Sequence, residues 1–122
     1  MAQSTEILPN GLQLLQDDRF FKLGQDSVLL SAFAKPRRNA KLLDLGCGTG
    51  ALALLVWRPD LKITGLELQD GPLDLFRQSI AANELENVTA LQGDLRQMRT
   101  LLPHGSMDYV ICNPPYFDRN AG

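Results

Sequence analysis

After residue 36 the chain alternates short apolar stretches with segments that have a helical distribution of apolar residues. Four of the apolar stretches have the length and composition of buried strands. They are KLLDLG at 41–46, LKITGLEL at 61–68, VTALQ at 88–92 and MDYVIC at 107–112. The pattern therefore predicts four strands, numbered here one to four in chain order.

Helical segments are predicted between these strands. They are ALALLVW at 51–57, a helix that starts at 70–72 with proline in its first turn, and one that starts at Asp94 and ends before Pro103. Leu73, Phe76 and Ile80 recur with the spacing of one helix face. Strands that alternate with helices form parallel βαβ units, so the pattern predicts an α/β fold with a mainly parallel sheet.

The first 36 residues predict a hairpin and a helix. GLQLLQDDRFFKL at 11–23 has two apolar stretches around Asp17 and Asp18, which favours a hairpin centred there. DSVLLSAFA at 26–34 predicts a short helix with Asp26 or Ser27 as its N-cap, closed by Pro36. We therefore predict an N-terminal hairpin and helix extension at 1–36 and a second unit at 37–122.

Composition narrows the class of protein. The 122 residues carry 12 basic and 14 acidic side chains, and this net charge of -2 argues against strong nucleic-acid binding by this chain alone. Basic residues cluster in KPRRNAK at 35–41 and at Arg96 and Arg99, which a solvated surface explains. A single histidine, His104, and two cysteines without ligand spacing argue against a metal site. No apolar stretch reaches the roughly 18 residues of a membrane helix, and the N-terminus lacks signal-peptide features, so we expect a cytoplasmic protein.

Polar or glycine-rich residues follow all four predicted strands. These strand ends are Asp44 to Gly50, Glu67, Gly93 with Asp94, and Asn113 to Tyr116. Each alone fits an ordinary βα turn, which also favours Gly, Asp and Asn. Because the carboxyl ends of parallel strands meet at one edge of a sheet, and ligands of such folds bind outside that edge, the four together predict a ligand site.

The glycine loop after strand one fits two cofactor classes. Gly46, Gly48 and Gly50 precede a helix, an arrangement that brings backbone N–H groups close to a nucleotide-like ligand. Gly46, Gly48 and Ala51 also satisfy the dinucleotide fingerprint, with Glu67 as its acidic residue. Asp44 inside strand one, Asp94 after strand three and the Asn-Pro-Pro-Tyr motif favour a methyltransferase over a nicotinamide enzyme.

Together, DLGCGTG at 44–50, Glu67, Gly93 with Asp94, and NPPY at 113–116 resemble class I S-adenosylmethionine-dependent methyltransferases that act on amino nitrogens. The upstream stretch at 8–34, from LPNG to SAFA, is similar to the bacterial tRNA adenine-N6 methyltransferases that modify valine tRNA, also described as methyltransferase small domain. The resemblance implies a Rossmann-like fold, S-adenosyl-L-methionine as cofactor and tRNA as substrate.

The resemblance also implies roles for individual residues. The cofactor-binding positions are Asp44, Gly46, Cys47, Gly48, Gly50, Glu67, Leu68, Asp94, Leu95 and Asn113. The loop and Asp44 would orient the methionine end, Glu67 would accept from both ribose hydroxyls, and Asp94 would accept from the adenine amino group. Asp26 and Ser27 approach the methionine carboxylate in this interpretation, although a helix N-cap explains the pair equally well.

The NPPY motif has a chemical interpretation under the same resemblance. The catalytic positions are Asn113, Pro114, Pro115 and Tyr116. The side-chain oxygen of Asn113 and the carbonyl of Pro114 would accept the two hydrogens of a planar amine and direct its lone pair, while Tyr116 would stack on the base. A rigid Pro-Pro turn with a packed tyrosine is the purely structural alternative.

Members of this family run to seven strands, so the resemblance covers only their N-terminal part, and we expect a chain truncated after strand four. Strand four would then be an exposed sheet edge through which the chain self-associates. Protein glutamine-N5 and rRNA guanine-N2 methylation, or an inactive cofactor-binding fragment, remain alternatives. Cys47 and Cys112 end neighbouring strands and are expected to lie close together, as inert thiols or otherwise.

Overall fold

The structure, a computed structural model of the chain, describes residues 3–17, 19, 35–97, 100, 102 and 105–112. The elements are β1 (Gln3–Ile7), β2 (Gln13–Asp17), β3 (Lys41–Leu45), α1 (Ala51–Leu55), β4 (Lys62–Glu67), α2 (Asp70–Ala82), β5 (Val88–Gln92), a 3-10 turn (Leu95–Gln97) and β6 (Tyr109–Cys112). The helix predicted from Asp26 or Ser27 lies outside the described residues.

The four predicted strands form one sheet in the order β5-β4-β3-β6, and every pair in it is parallel. β3 lies inside this sheet, where Leu42 pairs with Ile63 on one side and Tyr109 on the other. Leu42, Leu43 and Ile63 are buried. Their strands are apolar along most of their length, as is typical of a parallel sheet that is covered on both faces. The predicted α/β fold with a mainly parallel sheet is therefore confirmed.

Helix α2 packs on the sheet with the face that its sequence predicts. Leu73 and Phe76 are fully buried, and Ile80 packs against the same core. Pro72 lies in the first turn, where its missing N–H costs no intrahelical bond. Of the helix predicted to start at Asp94, the described residues include the 3-10 turn Leu95–Gln97 and Thr100, which is helical. α1 is shorter than its apolar stretch.

The described N-terminal residues contain a hairpin of β1 and β2, upstream of the hairpin predicted around Asp17 and Asp18. The second arm of that predicted hairpin lies outside the described residues, so it stays a prediction. The chain reverses at residues 8–12, where the Leu8 N–H donates to the Leu12 carbonyl at 2.8 Å. Gly11 has a φ of 89°, which favours glycine, and the Asn10 side chain accepts from the Leu12 N–H at 3.2 Å. Turn chemistry at Pro9-Asn10-Gly11 thus fixes the hairpin, whereas Asp17 ends β2.

Strand β2 is attached to helix α2 by polar groups around a buried leucine. Leu14 is fully buried, and the neighbouring Leu15 N–H donates to Ser79 Oγ at 2.9 Å. The Asn83 amide accepts from the Gln13 N–H at 2.8 Å and donates to the Gln13 carbonyl at 2.7 Å. The Asn83 side chain therefore gives the Gln13 backbone the two hydrogen bonds that a neighbouring strand would otherwise give. The hairpin shares the core of the sheet, and the domain boundary at residue 36 stays a prediction.

Replacing Asn83 by alanine is expected to lower the free energy of unfolding by about 1–2 kcal/mol, because the Gln13 N–H and carbonyl exchange a protein partner for water. Urea denaturation measures the loss, and hydrogen exchange at the Gln13 amide locates it. Gln78→Ala on the same helix is the control. Its bond to Asp74 lies within the helix and joins no second element, so a change within about 0.5 kcal/mol is expected there. Equal effects of the two substitutions would contradict the role of Asn83.

Candidate functional site

The predicted site residues meet at the carboxyl edge of the sheet. Leu45 pairs with Leu66 and with Cys112, so the ends of β3, β4 and β6 lie side by side. Glu67 pairs with Gln92, which adds the end of β5. Asn113, Pro114, Pro115 and Tyr116 follow β6 directly in sequence and lie outside the described residues, so their roles stay predictions.

The glycine loop between β3 and α1 has left-handed backbone at all three predicted glycines. The φ angles are 64° at Gly46, 56° at Gly48 and 90° at Gly50. A Cβ added at Gly46 or Gly48 would meet no atom within 4 Å, so this side of the loop is open. The Gly50 N–H donates to the Cys47 carbonyl at 2.9 Å, which closes the turn before the helix. The loop therefore presents bare backbone to a ligand.

Phe76 of helix α2 supports the other side of this loop. A Cβ at Gly50 would lie 2.1 Å from the Phe76 ring, and one at Gly65 of β4 would lie 2.5 Å from it and 2.8 Å from Cys47 Sγ. The ring thus fits against two backbone segments that carry no side chain. The sequence places Phe76 on the buried helix face, but it does not show that the loop rests on this ring.

The two cysteines are free thiols with different surroundings. Cys47 is buried, and burial raises the pKa of its thiol well above the usual range, so it stays protonated and unreactive. Cys112 is exposed at the end of β6 and pairs with Leu45. The predicted proximity of the two sulfur atoms stays a prediction.

Glu67 connects the ends of β3, β4 and β5. Its Oε1 accepts from the Gly48 N–H at 2.8 Å, and its Oε2 accepts from the Gln69 N–H at 2.9 Å. Its backbone carbonyl accepts from the Gly93 N–H at 3.1 Å. An ionised carboxylate has about four lone-pair sites, so capacity for a ligand hydroxyl remains. The contact with the glycine loop was not predicted, since sequence spacing alone does not show which amide a carboxylate meets.

Asp44 is a carboxyl group buried at the end of β3. It is 1% exposed, and its Oδ2 has no hydrogen-bond partner among the described residues. Its pKa is raised to about 7, mainly by burial; a hydrogen bond from the Ala53 backbone N–H opposes the rise, and the charge of Glu67 adds to it. An unpaired buried carboxyl oxygen is costly. Its position beside the glycine loop fits a polar group on a bound ligand.

Replacing Asp44 by asparagine is expected to flatten the dependence of stability on pH. The folded-state pKa is about 7, above the unfolded value of about 3.9, so the contribution of Asp44 is complete below about pH 4 and is lost as the pH rises through about 7. Urea denaturation at intervals from about pH 5 to 8 should show wild-type stability falling relative to Asp44→Asn. Parallel curves for the two proteins would contradict the raised pKa.

Asp94 follows β5 and holds an arginine that the sequence did not assign to it. Arg96 donates through Nε and Nη2 to both carboxylate oxygens, at 2.7 Å for the shortest contact, and its backbone N–H donates to Oδ1 at 2.9 Å. These bonds lower the Asp94 pKa to about 2, so it is ionised at neutral pH. Leu95 begins the 3-10 turn. Leu68, the predicted site residue that follows Glu67 in sequence, is 59% exposed.

Two further classes of site have no support in the described part of the chain. Within residues 3–17, 35–97 and the shorter described segments, His, Cys, Asp and Glu side chains form no group of three that suits a metal ion. In the same segments no helix combines the length and apolar character needed to cross a membrane.

Comparison with known proteins shows the family of the chain. The model of the family described as methyltransferase small domain matches residues 24–121. A curated relative from Pseudoalteromonas translucida, named tRNA1(Val) (adenine(37)-N6)-methyltransferase, is 36% identical over 101 residues, which are 81% of this chain and 42% of that protein. A protein of the same name from Yersinia pestis is 32% identical over 100 residues, 79% of this chain and 40% of that one. The chain thus spans about two fifths of the length of these relatives.

Solved structures share the fold. The M. jannaschii tRNA m1G37 methyltransferase superposes with a TM-score of 0.71 at 21% identity, covering 94% of this chain and 36% of that one. The Pyrococcus abyssi tRNA (uracil-54, C5)-methyltransferase, solved with S-adenosyl-L-homocysteine, has a TM-score of 0.71 at 16% identity, with 93% and 28% covered. At these identities the likeness establishes the predicted Rossmann-like class I fold.

Proposed function

Because the chain belongs to the methyltransferase small domain family, we propose that it binds S-adenosyl-L-methionine at the carboxyl edge of its sheet and methylates an exocyclic amine, adenine N6 in tRNA. The observation that carries the proposal is the convergence of three features at that edge. They are an open glycine loop, a buried carboxyl with an unpaired oxygen, and a carboxylate that holds the loop. The names of the curated relatives support the choice of substrate.

The described residues fit this cofactor. The open backbone at Gly46 and Gly48 leaves room for its methionine end, and Asp44 Oδ2 offers an unused acceptor to its ammonium group. Glu67 keeps lone pairs for the ribose hydroxyls, and the exposed Leu68 offers apolar surface to the adenine ring. These residues orient the cofactor. When bound, it supplies an electrophilic methyl group carried on a positively charged sulfur.

Asp94 and Leu95 complete the proposed adenine subsite. The Asp94 carboxylate accepts from the adenine amino group, and the Leu95 backbone N–H faces a ring nitrogen. Arg96 occupies both Asp94 oxygens, but the pair is solvated, because the Arg96 side chain is 89% exposed. An exposed ion pair contributes at most about 1 kcal/mol, so the arginine can move aside at little cost.

The methyl acceptor is proposed to bind at NPPY, directly after β6. Asn113 Oδ1 and the Pro114 carbonyl accept the two hydrogens of the amine, which aims the nitrogen lone pair, and Pro115 keeps the turn rigid. Tyr116 stacks on the base. A strong base is not needed before transfer. The nitrogen would gain a positive charge as the new C–N bond forms and the methyl–sulfur bond breaks to leave a neutral thioether, and it would then lose a proton to water.

The proposal extends to location and assembly. A tRNA substrate places the protein in the cytoplasm. We also propose that β6 pairs with a strand of a second copy, because β6 is at the end of the described sheet and Val110 is 56% exposed on it. Light scattering over a range of concentrations is expected to show a dimer, and a monomer throughout would overturn this pairing.

The function is tested by incubating the chain with S-adenosyl-L-methionine and unmodified tRNA transcripts. Mass spectrometry of the digested nucleosides should find N6-methyladenosine, and Asn113→Ala should abolish it. If release factor or rRNA is methylated and tRNA is not, the activity is glutamine-N5 or guanine-N2 methylation instead. Calorimetry with S-adenosylhomocysteine and with NAD is the binding control. Binding of NAD alone would overturn the cofactor assignment, and cofactor binding without any product would reduce the function to a binding module.

A further inference from the structure

A group of basic residues lies at the amino-terminal edge of the sheet, opposite the glycine loop. The group, here called the basic edge, comprises Lys35, Arg37, Arg38, Lys41, Arg58 and Lys62. Lys41 and Lys62 are the first residues of β3 and β4 and pair in register. The others precede these strands, and the Lys62 N–H donates to the Ala40 carbonyl at 3.0 Å, which joins the two strand starts.

The backbone under the basic edge is held by two aspartates and an arginine. Asp60 accepts from the Asn39 N–H and Asp108 accepts from the Lys41 N–H, both at 2.8 Å. Arg58 donates to the Pro36 carbonyl at 2.8 Å and is paired with Asp60. The backbone at 36–41 is therefore held in place, and the Cα atoms that carry its basic side chains keep fixed positions relative to the sheet.

Four charges of the basic edge remain available. Asp60 and Asp108 are used by Arg58 and Arg37. The other four basic residues are exposed and have no ion pair with a carboxylate of the described residues: Lys35, Arg38, Lys41 and Lys62. With Glu84 and Glu86, which precede β5, counted beside Asp60 and Asp108, this edge holds six basic and four acidic residues, a net charge of +2 in a chain of net charge -2.

The pairing of Lys41 with Lys62 also indicates an anionic partner. Like charges on directly neighbouring strands repel and lower stability. Asp108 lies close enough to Lys41 to offset part of its charge, and an anion that lies against both lysines would offset the rest. A run of phosphates is such an anion, and it would contact several of the four charges at once.

The carboxyl edge has the opposite charge. Glu67, Asp70 and Asp94 lie there, and Arg96 is paired with Asp94. The phosphates of an RNA are repelled near such a site. Attraction to a polyanion must then come from another surface, and within the described residues the basic edge is suited to it.

We propose that the basic edge binds the phosphate backbone of the tRNA substrate, away from the nucleotide that is methylated. The inference rests on the proposed function for the identity of the RNA. The surface supplies affinity that does not depend on sequence, and the carboxyl edge selects the reacting base. It also resolves the conflict between an acidic chain and a polyanionic substrate, because the charge of one edge, and not the net charge, governs the encounter.

The test measures binding of unmodified tRNA to the chain by fluorescence anisotropy at salt concentrations from about 50 to 200 mM. Lys62→Gln should weaken binding and reduce the slope of log K against log salt by about 1, the value for one lost phosphate contact. Arg77→Gln is the matched control, since Arg77 is an exposed base on helix α2, and its slope should equal that of the wild type. A variant with glutamine at positions 35, 38, 41 and 62 should lose several units of slope.

A second measurement separates this inference from the proposed function. Affinity for S-adenosylhomocysteine and thermal stability should be unchanged or higher in Lys62→Gln, because the substitution removes a repulsion far from the loop. If the four-residue variant keeps the wild-type slope, or if wild type shows no salt-dependent tRNA binding, the basic edge is not the RNA surface, whatever the methylation assay shows. If the four-residue variant has a smaller slope but the wild type forms no methylated adenosine, the basic edge binds RNA and the proposed reaction is wrong.

Discussion

Gly50→Ala is expected to destabilise the protein by about 4 kcal/mol, a large part of the stability of a domain of this size. Two costs combine. The new methyl group would overlap the ring of Phe76, 2.1 Å from its Cδ1, and overpacking of this kind costs about 1–3 kcal/mol. The φ of 90° at this position adds about 1–3 kcal/mol for a residue with a side chain. Urea denaturation followed by circular dichroism measures the loss.

Gly48→Ala is the matched control in the same loop. Its φ of 56° is the ordinary left-handed value, and no atom lies within 4 Å of an added Cβ. Gly48→Ala should lower the free energy of unfolding by only about 1–2 kcal/mol. It places a methyl group on the open side of the loop, however, and should weaken binding of S-adenosylhomocysteine. Equal destabilisation by the two substitutions would show that Phe76 does not support the loop. In the background of Phe76→Leu, the cost of Gly50→Ala should shrink.

The parallel sheet was predictable because each of its strands is marked by a local apolar stretch, and four such stretches recur along the chain. β5 has the bounds of its apolar stretch, β3 is shorter than its stretch by one residue at its end, and β4 is shorter by one residue at each end. The face of helix α2 was equally evident, since the spacing of Leu73 and Phe76 depends only on helix geometry. Sequence reasoning works where burial on a regular element dictates residue type.

The hairpin of β1 and β2 shows what periodicity alone does not detect. The apolar stretches on both sides of Asp17 predicted a turn there, which stays a prediction, while the turn chemistry of Pro9-Asn10-Gly11 was not used to predict this hairpin. The Asn10 side chain also donates to the Leu54 carbonyl at 2.7 Å, a tertiary contact that no local pattern contains. The hairpin position therefore depends on a turn signal and on packing that periodicity does not measure.

The candidate site was predictable in location and only partly in detail. Parallel topology brings the strand ends together, so Asp44, Glu67 and Asp94 were expected at one edge, where the structure has them. Their hydrogen-bond partners were not expected. The pairing of Asp94 with Arg96 depends on side-chain conformation in a short turn, and the unpaired oxygen of Asp44 depends on complete burial.

Glu67→Ala is expected to reduce the affinity for S-adenosylhomocysteine by about 100-fold or more. The carboxylate is proposed to accept two ribose hydroxyls, and hydrogen bonds to a charged group contribute about 1.5–3 kcal/mol each. The substitution also removes the acceptor from the Gly48 N–H, so the loop loses its fixed form before any ligand arrives. Calorimetry measures the affinity, and hydrogen exchange at the Gly48 amide in the free protein measures the order of the loop.

Comparison of Glu67→Gln with Glu67→Ala separates the two roles of this carboxylate. Glutamine keeps one oxygen, which can still accept from the Gly48 N–H, so amide protection should largely persist while affinity falls by about tenfold through loss of charge. Glu86→Ala removes an exposed carboxylate at the opposite edge and should change neither quantity. If Glu67→Ala loses affinity but keeps the Gly48 amide protected, Glu67 contacts the ligand without organising the loop. If it binds as tightly as wild type, neither role holds, and the glycine loop must be ordered by Phe76 and its own turn alone.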